Sequence, residues 1–268
     1  NEGDKTALIG VNGCGKTTLL KILSQELEMD KGDLFKPRDF QVGYLSQSNI
    51  PQDNELVSDY LEVIYKPLFE MEKQLESLAE GLKHDSTETK LNAYASLQHR
   101  FEEMGGYTYR SEMMSVFTQF GFVESDLNRH LQTFSGGQKT RIAFVRLLLS
   151  KPDVLLLDEP TNHLDMRTIE WLESYLKNYS KALVLVSHDR MFIDRVAKVI
   201  IEMEDGELTR YPGNYSNYLV QKALDLEKQA SAYARQQKDI QRLEDLIEKF
   251  RYKKNKAKFA QSKIEYLD

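Results

Sequence analysis

Gly10-Val11-Asn12-Gly13-Cys14-Gly15-Lys16-Thr17 fits the pattern G-x-x-x-x-G-K-[ST]. It lies between a short apolar run, Thr6-Ala7-Leu8-Ile9, and a segment with helical spacing from about Lys16 to Leu27. Strand, glycine-rich turn and helix form the context in which this pattern binds phosphate. The glycines let backbone N–H groups curl around phosphate oxygens, and the helix N-terminus adds a positive dipole. Lys16 is expected to reach β- and γ-phosphates, and Thr17 to offer a hydroxyl to Mg²⁺. Gly10, Asn12, Gly13, Cys14, Gly15, Lys16, Thr17 and Thr18 are thus the nucleotide-binding candidates. Cys14 reads as a small side chain in a tight place rather than a reactive thiol.

Val154-Leu155-Leu156-Leu157 has the length of a buried strand and ends in Asp158-Glu159. At a strand's carboxyl edge beside a phosphate loop, Asp158 can hold hydrated Mg²⁺ and Glu159 can polarise an attacking water. Further strands are expected at Phe40 to Leu45 and Ala182 to Val186. Val199 to Met203 and Glu207 to Tyr211 flank Asp205-Gly206, a type I′ hairpin signal. Helices are expected at Gly137 to Leu149, at Met166 to Asn178 and after His188. Strands alternating with helices imply an α/β fold with a largely parallel sheet.

Between these parts lies a helical stretch. Leu61, Ile64, Leu68, Met71, Leu75, Leu78 and Leu82 keep three- and four-residue spacing, with Pro67 expected to kink or split the helix. Asp85 and Glu88 are spaced as a capping box for a returning helix that runs to Gly105-Gly106. After Pro212-Gly213 the chain changes character: Asn217 to Phe250 contains neither Gly nor Pro, and Leu219, Ala223, Leu226, Ala230 and Tyr233 form a narrow stripe that wants a partner helix.

The 268 residues are 41% hydrophobic and 29% charged, which excludes wholesale disorder. No apolar run reaches the roughly 18 residues of a membrane span. A net charge of −6 argues against a surface that coats nucleic acid throughout, while leaving room for a local basic patch. With one cysteine and no basic-apolar leader, a reducing cytoplasm is the expected compartment. The chain opens almost directly into a strand and stops within a helical pattern, so a segment of a longer protein is expected.

Phe134-Ser135-Gly136-Gly137-Gln138 resembles the signature of ATP-binding cassettes, with Phe where Leu is usual. The order of phosphate loop, Gln47, signature, Asp158-Glu159 and His188 is that of a cassette ATPase. The resemblance implies ATP and Mg²⁺ as ligands and ATP hydrolysis as the activity. It assigns Gln47 to sensing Mg²⁺ and water, beside Thr17 and Asp158 as metal contacts, and His188 to the γ-phosphate. Ser135, Gly136, Gly137 and Gln138 would face the ATP of an opposite cassette, and Asp165 would belong to the loop coupling two sites.

Asp158 to Asp165, with Asn162-His163 in place of the Ser-Ala of transporter cassettes, resembles the F and E branches, and Tyr211-Pro212-Gly213-Asn214-Tyr215-Ser216-Asn217-Tyr218 before a long charged helix is similar to the F family specifically. That likeness implies a first cassette with cores at 1–55 and 132–212, a helical subdomain at 56–131, and an incomplete linker at 213–268. Its partners would be a second cassette of the same chain, or a head-to-tail copy of this one, and the ribosome with its rRNA or tRNA. Its role would be that of a translation factor or an antibiotic-protection protein. Arg251, Lys253, Lys254, Lys256, Lys258 and Lys263, with no acid between Glu248 and Glu265, are the candidate RNA contacts. Taken bare, such a run reads as a solvated helix face; in a linker of this family it reads as an RNA contact. The alternatives are the nucleotide-binding subunit of a membrane transporter, or a nucleic-acid repair or structural-maintenance ATPase.

Overall fold

Six strands make one sheet in the order β2-β3-β4-β1-β5-β6. They are β1 (Lys5–Gly10), β2 (Val42–Tyr44), β3 (Val154–Asp158), β4 (Ala182–Val186), β5 (Val199–Glu204) and β6 (Glu207–Pro212). Every neighbouring pair is parallel except β5 with β6. The computed structural model describes residues 3–45, 54–84, 87–162 and 164–251. It divides into two compact units, Asn1–Asn214 and Tyr215–Asp268.

The central strands are apolar on both faces because helices cover both faces of such a sheet. Ala7, Leu155, Leu183 and Leu185 are fully buried. On one side Leu8, Leu156 and Val186 pack with Leu20 of α1 (Lys16–Leu23). β1 is also anchored at its start. The buried Lys5 ammonium donates to the carbonyls of Tyr179 and Lys181, and its burial lowers its pKa. Nothing in the sequence marks that role, since a lysine before a strand reads as solvated.

The two ends of the helical insert meet in an isolated antiparallel bridge, Leu56 with His130. The insert holds α2 (Val57–Glu62), a 3₁₀ turn (Val63–Tyr65), α3 (Lys66–His84), α4 (Glu88–Glu103) and α5 (Tyr109–Gln119). The stretch is split at Pro67, one of the two expected outcomes: α2 and the 3₁₀ turn end before it, and Pro67 occupies the first turn of α3, where its missing N–H would have no intrahelical acceptor. α4 does not begin with the expected capping box. Thr87 is its extended cap residue and Glu88 its first helical residue; Asp85 lies outside the described residues. The chain then returns through α6 (Gly136–Leu149), α7 (Met166–Asn178) and α8 (Arg190–Val196), whose buried faces include Ile142, Leu148, Leu172, Leu176 and Phe192.

Two further boundaries differ from the sequence reading. α1 stops at Leu23 rather than near Leu27, because Ser24 donates its hydroxyl to the Lys21 carbonyl and Gln25 turns left-handed at φ 64°. β2 keeps three residues of the six expected. The hairpin is as the Asp-Gly signal requires, with Asp205 at φ 49° and Gly206 at φ 81°.

The second unit contains α9 (Tyr215–Arg251), 37 residues long and so about 55 Å in length. Leu219, Val220, Leu224, Leu226 and Tyr233 are exposed along it. Among the described residues no helix is long and apolar enough to cross a membrane.

Candidate nucleotide site

The phosphate loop spans the gap between β1 and α1, at the carboxyl edge of the sheet. Gly10 cannot carry a side chain: a Cβ there would lie 2.4 Å from the Met203 carbonyl oxygen of β5 and 2.8 Å from Cys14 Sγ. Gly15 caps α1 at φ 107°, a left-handed conformation that glycine tolerates without strain. Lys16 Nζ folds back over the loop, donating to the carbonyls of Gly10 at 2.9 Å and Val11 at 3.0 Å. Its ammonium therefore sits above the hollow formed by the loop. Asn12, Gly13, Cys14 and Thr18 lie in the same loop and first turn. Met203, whose backbone makes glycine necessary at position 10, is the contributor that the sequence reading missed. It lies far along the chain on a hairpin strand, and no local pattern marks it.

Thr17 Oγ1 donates to Asp158 Oδ2 at 2.7 Å, joining the two Mg²⁺ candidates across 141 residues of sequence. A hydroxyl and a carboxylate are the hard oxygen donors that Mg²⁺ prefers, with phosphates and waters completing its octahedron. The donor set thus fits the metal, and the loop fits its phosphates.

Glu159 follows Asp158 with φ 50°, a left-handed conformation for a residue with a side chain, fixed by its N–H donating to the Val186 carbonyl at 2.8 Å. Its carboxylate accepts from the His188 backbone N–H at 3.2 Å through Oε2. Oε1 lies 3.6 Å from His188 Nε2, is buried, and has no hydrogen-bond partner among the described residues. Burial pushes the Glu159 carboxyl above the usual glutamate range; the His188 N–H and ring oppose this only in part. A desolvated carboxylate with a free oxygen is suited to accept a proton from water.

The signature residues form the N-terminus of α6. Ser135 Oγ accepts from Gln138 N at 3.3 Å, and Gln138 Oε1 accepts from Ser135 N at 2.9 Å, a reciprocal capping box. A Cβ at Gly136 or Gly137 would meet nothing within 4 Å, so no packing among the described residues demands glycine there. Phe134 fills an aromatic pocket: its ring lies edge-on to Phe122 at 6.0 Å, and Arg129 covers it at 4.2 Å. Asp165 caps α7, accepting from Thr168 N at 2.9 Å, and that hydrogen bond leads the causes that hold its carboxyl below the usual aspartate range.

The structure thus brings Lys16, Thr17, Asp158, Glu159 and His188 to one edge of the sheet. Gln47, Lys253, Lys254, Lys256, Lys258 and Lys263 lie outside the described residues, and Arg251 is the last residue of α9.

Residues 1–162 match the family model described as ABC transporter, and residues 201–268 match a second model of that description. The chain is 40% identical over 270 residues to the ATP-binding protein YdiF of Bacillus subtilis, covering 99% of this chain and 42% of that protein. It is 36% identical over 269 residues to the ATP-binding protein YheS of Escherichia coli K12, covering 100% of this chain and 41% of that one. It is also 36% identical over 275 residues to ABC transporter F family member 2 of Arabidopsis thaliana, covering 99% of this chain and 40% of the relative. The chain therefore spans about two fifths of the length of these relatives.

Among solved structures, an ATP-binding subunit of an ABC transporter shares the fold with a TM-score of 0.57 at 19% identity, over 79% of this chain and 80% of that one. The dimeric cassette MJ0796 does so with a TM-score of 0.52 at 23% identity, over 79% of this chain and 86% of that one.

Proposed function

The chain belongs to the ABC transporter family as an ATP-binding cassette, and from that premise we propose that it is the first cassette of an F-type, ribosome-associated Mg²⁺-dependent ATPase. The observation that carries the hydrolytic reading is the buried Oε1 of Glu159, which accepts no hydrogen bond among the described residues and lies 3.6 Å from His188 Nε2, one residue from the Thr17–Asp158 pair.

In this reading the loop N–H groups and Lys16 hold the β- and γ-phosphates, and Lys16 exchanges its carbonyl partners for phosphate oxygens. Thr17 and Asp158 would hold Mg²⁺, and Gln47 is assigned to sensing it. Mg²⁺ supplies charge neutralisation on the phosphates. Glu159 accepts a proton from the attacking water, and His188 fixes the carboxylate through its backbone N–H while its ring faces the γ-phosphate. ATP and water give ADP and phosphate.

Ser135, Gly136, Gly137 and Gln138 are assigned to the ATP of an opposite cassette. The open space around both glycines among the described residues is compatible with this, because it leaves room for a ligand to approach the backbone closely. The opposite cassette is the second one of the parent chain or, for this chain alone, a head-to-tail copy. Asp165 lies in the turn that couples the two sites. The domain division at 55/56, 131/132 and 212/213 belongs to the same reading.

The ribosomal assignment rests on the F-family relatives and on the basic run from Arg251 to Lys263 after a long helix. It implies a cytoplasmic protein acting in translation or antibiotic protection. Cosedimentation of the full-length protein with ribosomes, with and without a non-hydrolysable ATP analogue, tests it. ATP-dependent pelleting is expected, and its absence would return the chain to the transporter-subunit reading.

A further inference from the structure

Three helices meet at the C-terminal end of α5. The Thr168 hydroxyl of α7 donates to the Gln119 carbonyl at 3.0 Å, and Nη1 of Arg141 in α6 donates to the Phe120 carbonyl at 2.9 Å. These are carbonyls of a helix terminus, which need donors from outside the helix. The chain then turns at Gly121, φ 81°, where a Cβ would come within 3.3 Å of Arg141 Nη1. The Arg141 guanidinium also lies 5.3 Å from the centre of the Phe122 ring, and Phe122 packs edge-on against Phe134, the residue before Ser135.

The Arg141 charge also reaches Asp165, the cap of α7, as the last of the causes acting on that carboxyl, and adds to the Thr168 N–H in holding it low. α7 is itself tied to α5 twice, through Thr168 and through the edge contact of Trp171 with Phe120 at 5.8 Å. One side chain thus touches the end of α5 and the aromatic support of the signature turn, within electrostatic reach of the Asp165 turn.

We propose that Arg141 is a positioning residue, which holds the signature turn at Phe134 to Gly137 and the Asp165 turn in a single register. The surface offered to an opposite cassette then moves as one body. This rests on the composite-site reading above. Lysine could donate to the Phe120 carbonyl, but only a planar guanidinium can also stack on Phe122. Arg141→Lys should therefore be intermediate, and Arg141→Met should abolish both interactions.

The test uses the full-length protein. For Arg141→Met, kcat for ATP should fall at least ten-fold while ATP affinity, set by the phosphate loop, stays within two-fold of the parent; Arg141→Lys should recover part of the loss. Full kcat in Arg141→Met, or an equal fall in ATP affinity, would overturn the proposal. Spin labels at Gln132 and Arg167, on a background with native cysteines replaced by serine, give a second readout that needs no hydrolysis. Their distance distribution should be narrow in the parent and broad in Arg141→Met, and an unchanged distribution would also overturn it. If the parent hydrolyses no ATP, the hydrolytic reading fails, while the label distances still decide the role of Arg141.

Discussion

At Glu159 two local features conflict with ordinary stability: a left-handed backbone and a buried carboxylate oxygen without a partner among the described residues. Glu159→Gln keeps the size and removes the proton acceptor, so ATP binding should persist while single-turnover hydrolysis stops. Turnover at the parent rate would remove Glu159 from the mechanism. The carboxyl is raised above its ordinary value, chiefly by burial, so the folded state holds the proton more tightly than the unfolded chain. Stability should then fall as pH rises from the ordinary value through the raised one. The glutamine variant escapes that loss and should melt higher than the parent at neutral pH, which calorimetry can measure. The same shift moves the acid limb of the kcat/KM profile, which reports the free protein, above the usual glutamate range. A limb at the ordinary value would mean that Glu159 is hydrated when it acts.

Among the elements, β2 is short and its middle residue has no space to spare. A Cβ at Gly43 would lie 2.4 Å from Pro152 Cγ and 2.7 Å from Leu147 Cδ1, and the proline ring cannot swing aside. Gly43→Ala should destabilise the fold by about 1–3 kcal/mol through overpacking, read as a lower denaturation midpoint. An unchanged midpoint would mean that the edge strand yields freely. Sequence patterning was most legible where one physical cause acts alone. β3, β4 and α7 follow from uninterrupted apolar runs or a single amphipathic stripe, and Asp205-Gly206 from its demand for positive φ. It was least legible where a contact distant in sequence decides. Thr87 rather than Asp85 precedes α4, a left-handed Gln25 ends α1, and Lys5 is buried under the carbonyl end of α7. The site followed the same division: the loop, Asp158 and Glu159 were singled out from motif and spacing, and His188 from the resemblance to cassette ATPases. The Thr17–Asp158 bond, the Met203 contact and the Arg141 junction exist only once the sheet has aligned its strands.

At the scale of the whole molecule, the composite-site reading gives this chain half of each site. Its specific ATPase rate should therefore rise with protein concentration as copies associate head to tail; a high rate independent of concentration would contradict the reading. The acidic balance of −6 should confine RNA binding to the basic run. Replacing Lys253, Lys254, Lys256 and Lys258 by Gln in the full-length protein should weaken ribosome binding. The replacement should also flatten the log–log salt dependence by roughly 0.7–0.9 for each phosphate no longer neutralised. Equal affinities and slopes across a salt series would reduce the run to a solvated helix face. The topology carries one more consequence, for biosynthesis. Lys5 pairs with Leu183 and Thr6 with Val199, so the strand bearing the phosphate loop waits for neighbours encoded far downstream. At roughly 5–20 residues per second those neighbours are made about 10–40 s later. During that interval Ala7, Leu8 and Ile9 lack their β4 and β5 neighbours. The pace of elongation sets how long this nascent apolar segment waits for them, and only once β4 and β5 have left the exit tunnel can the loop become a nucleotide site.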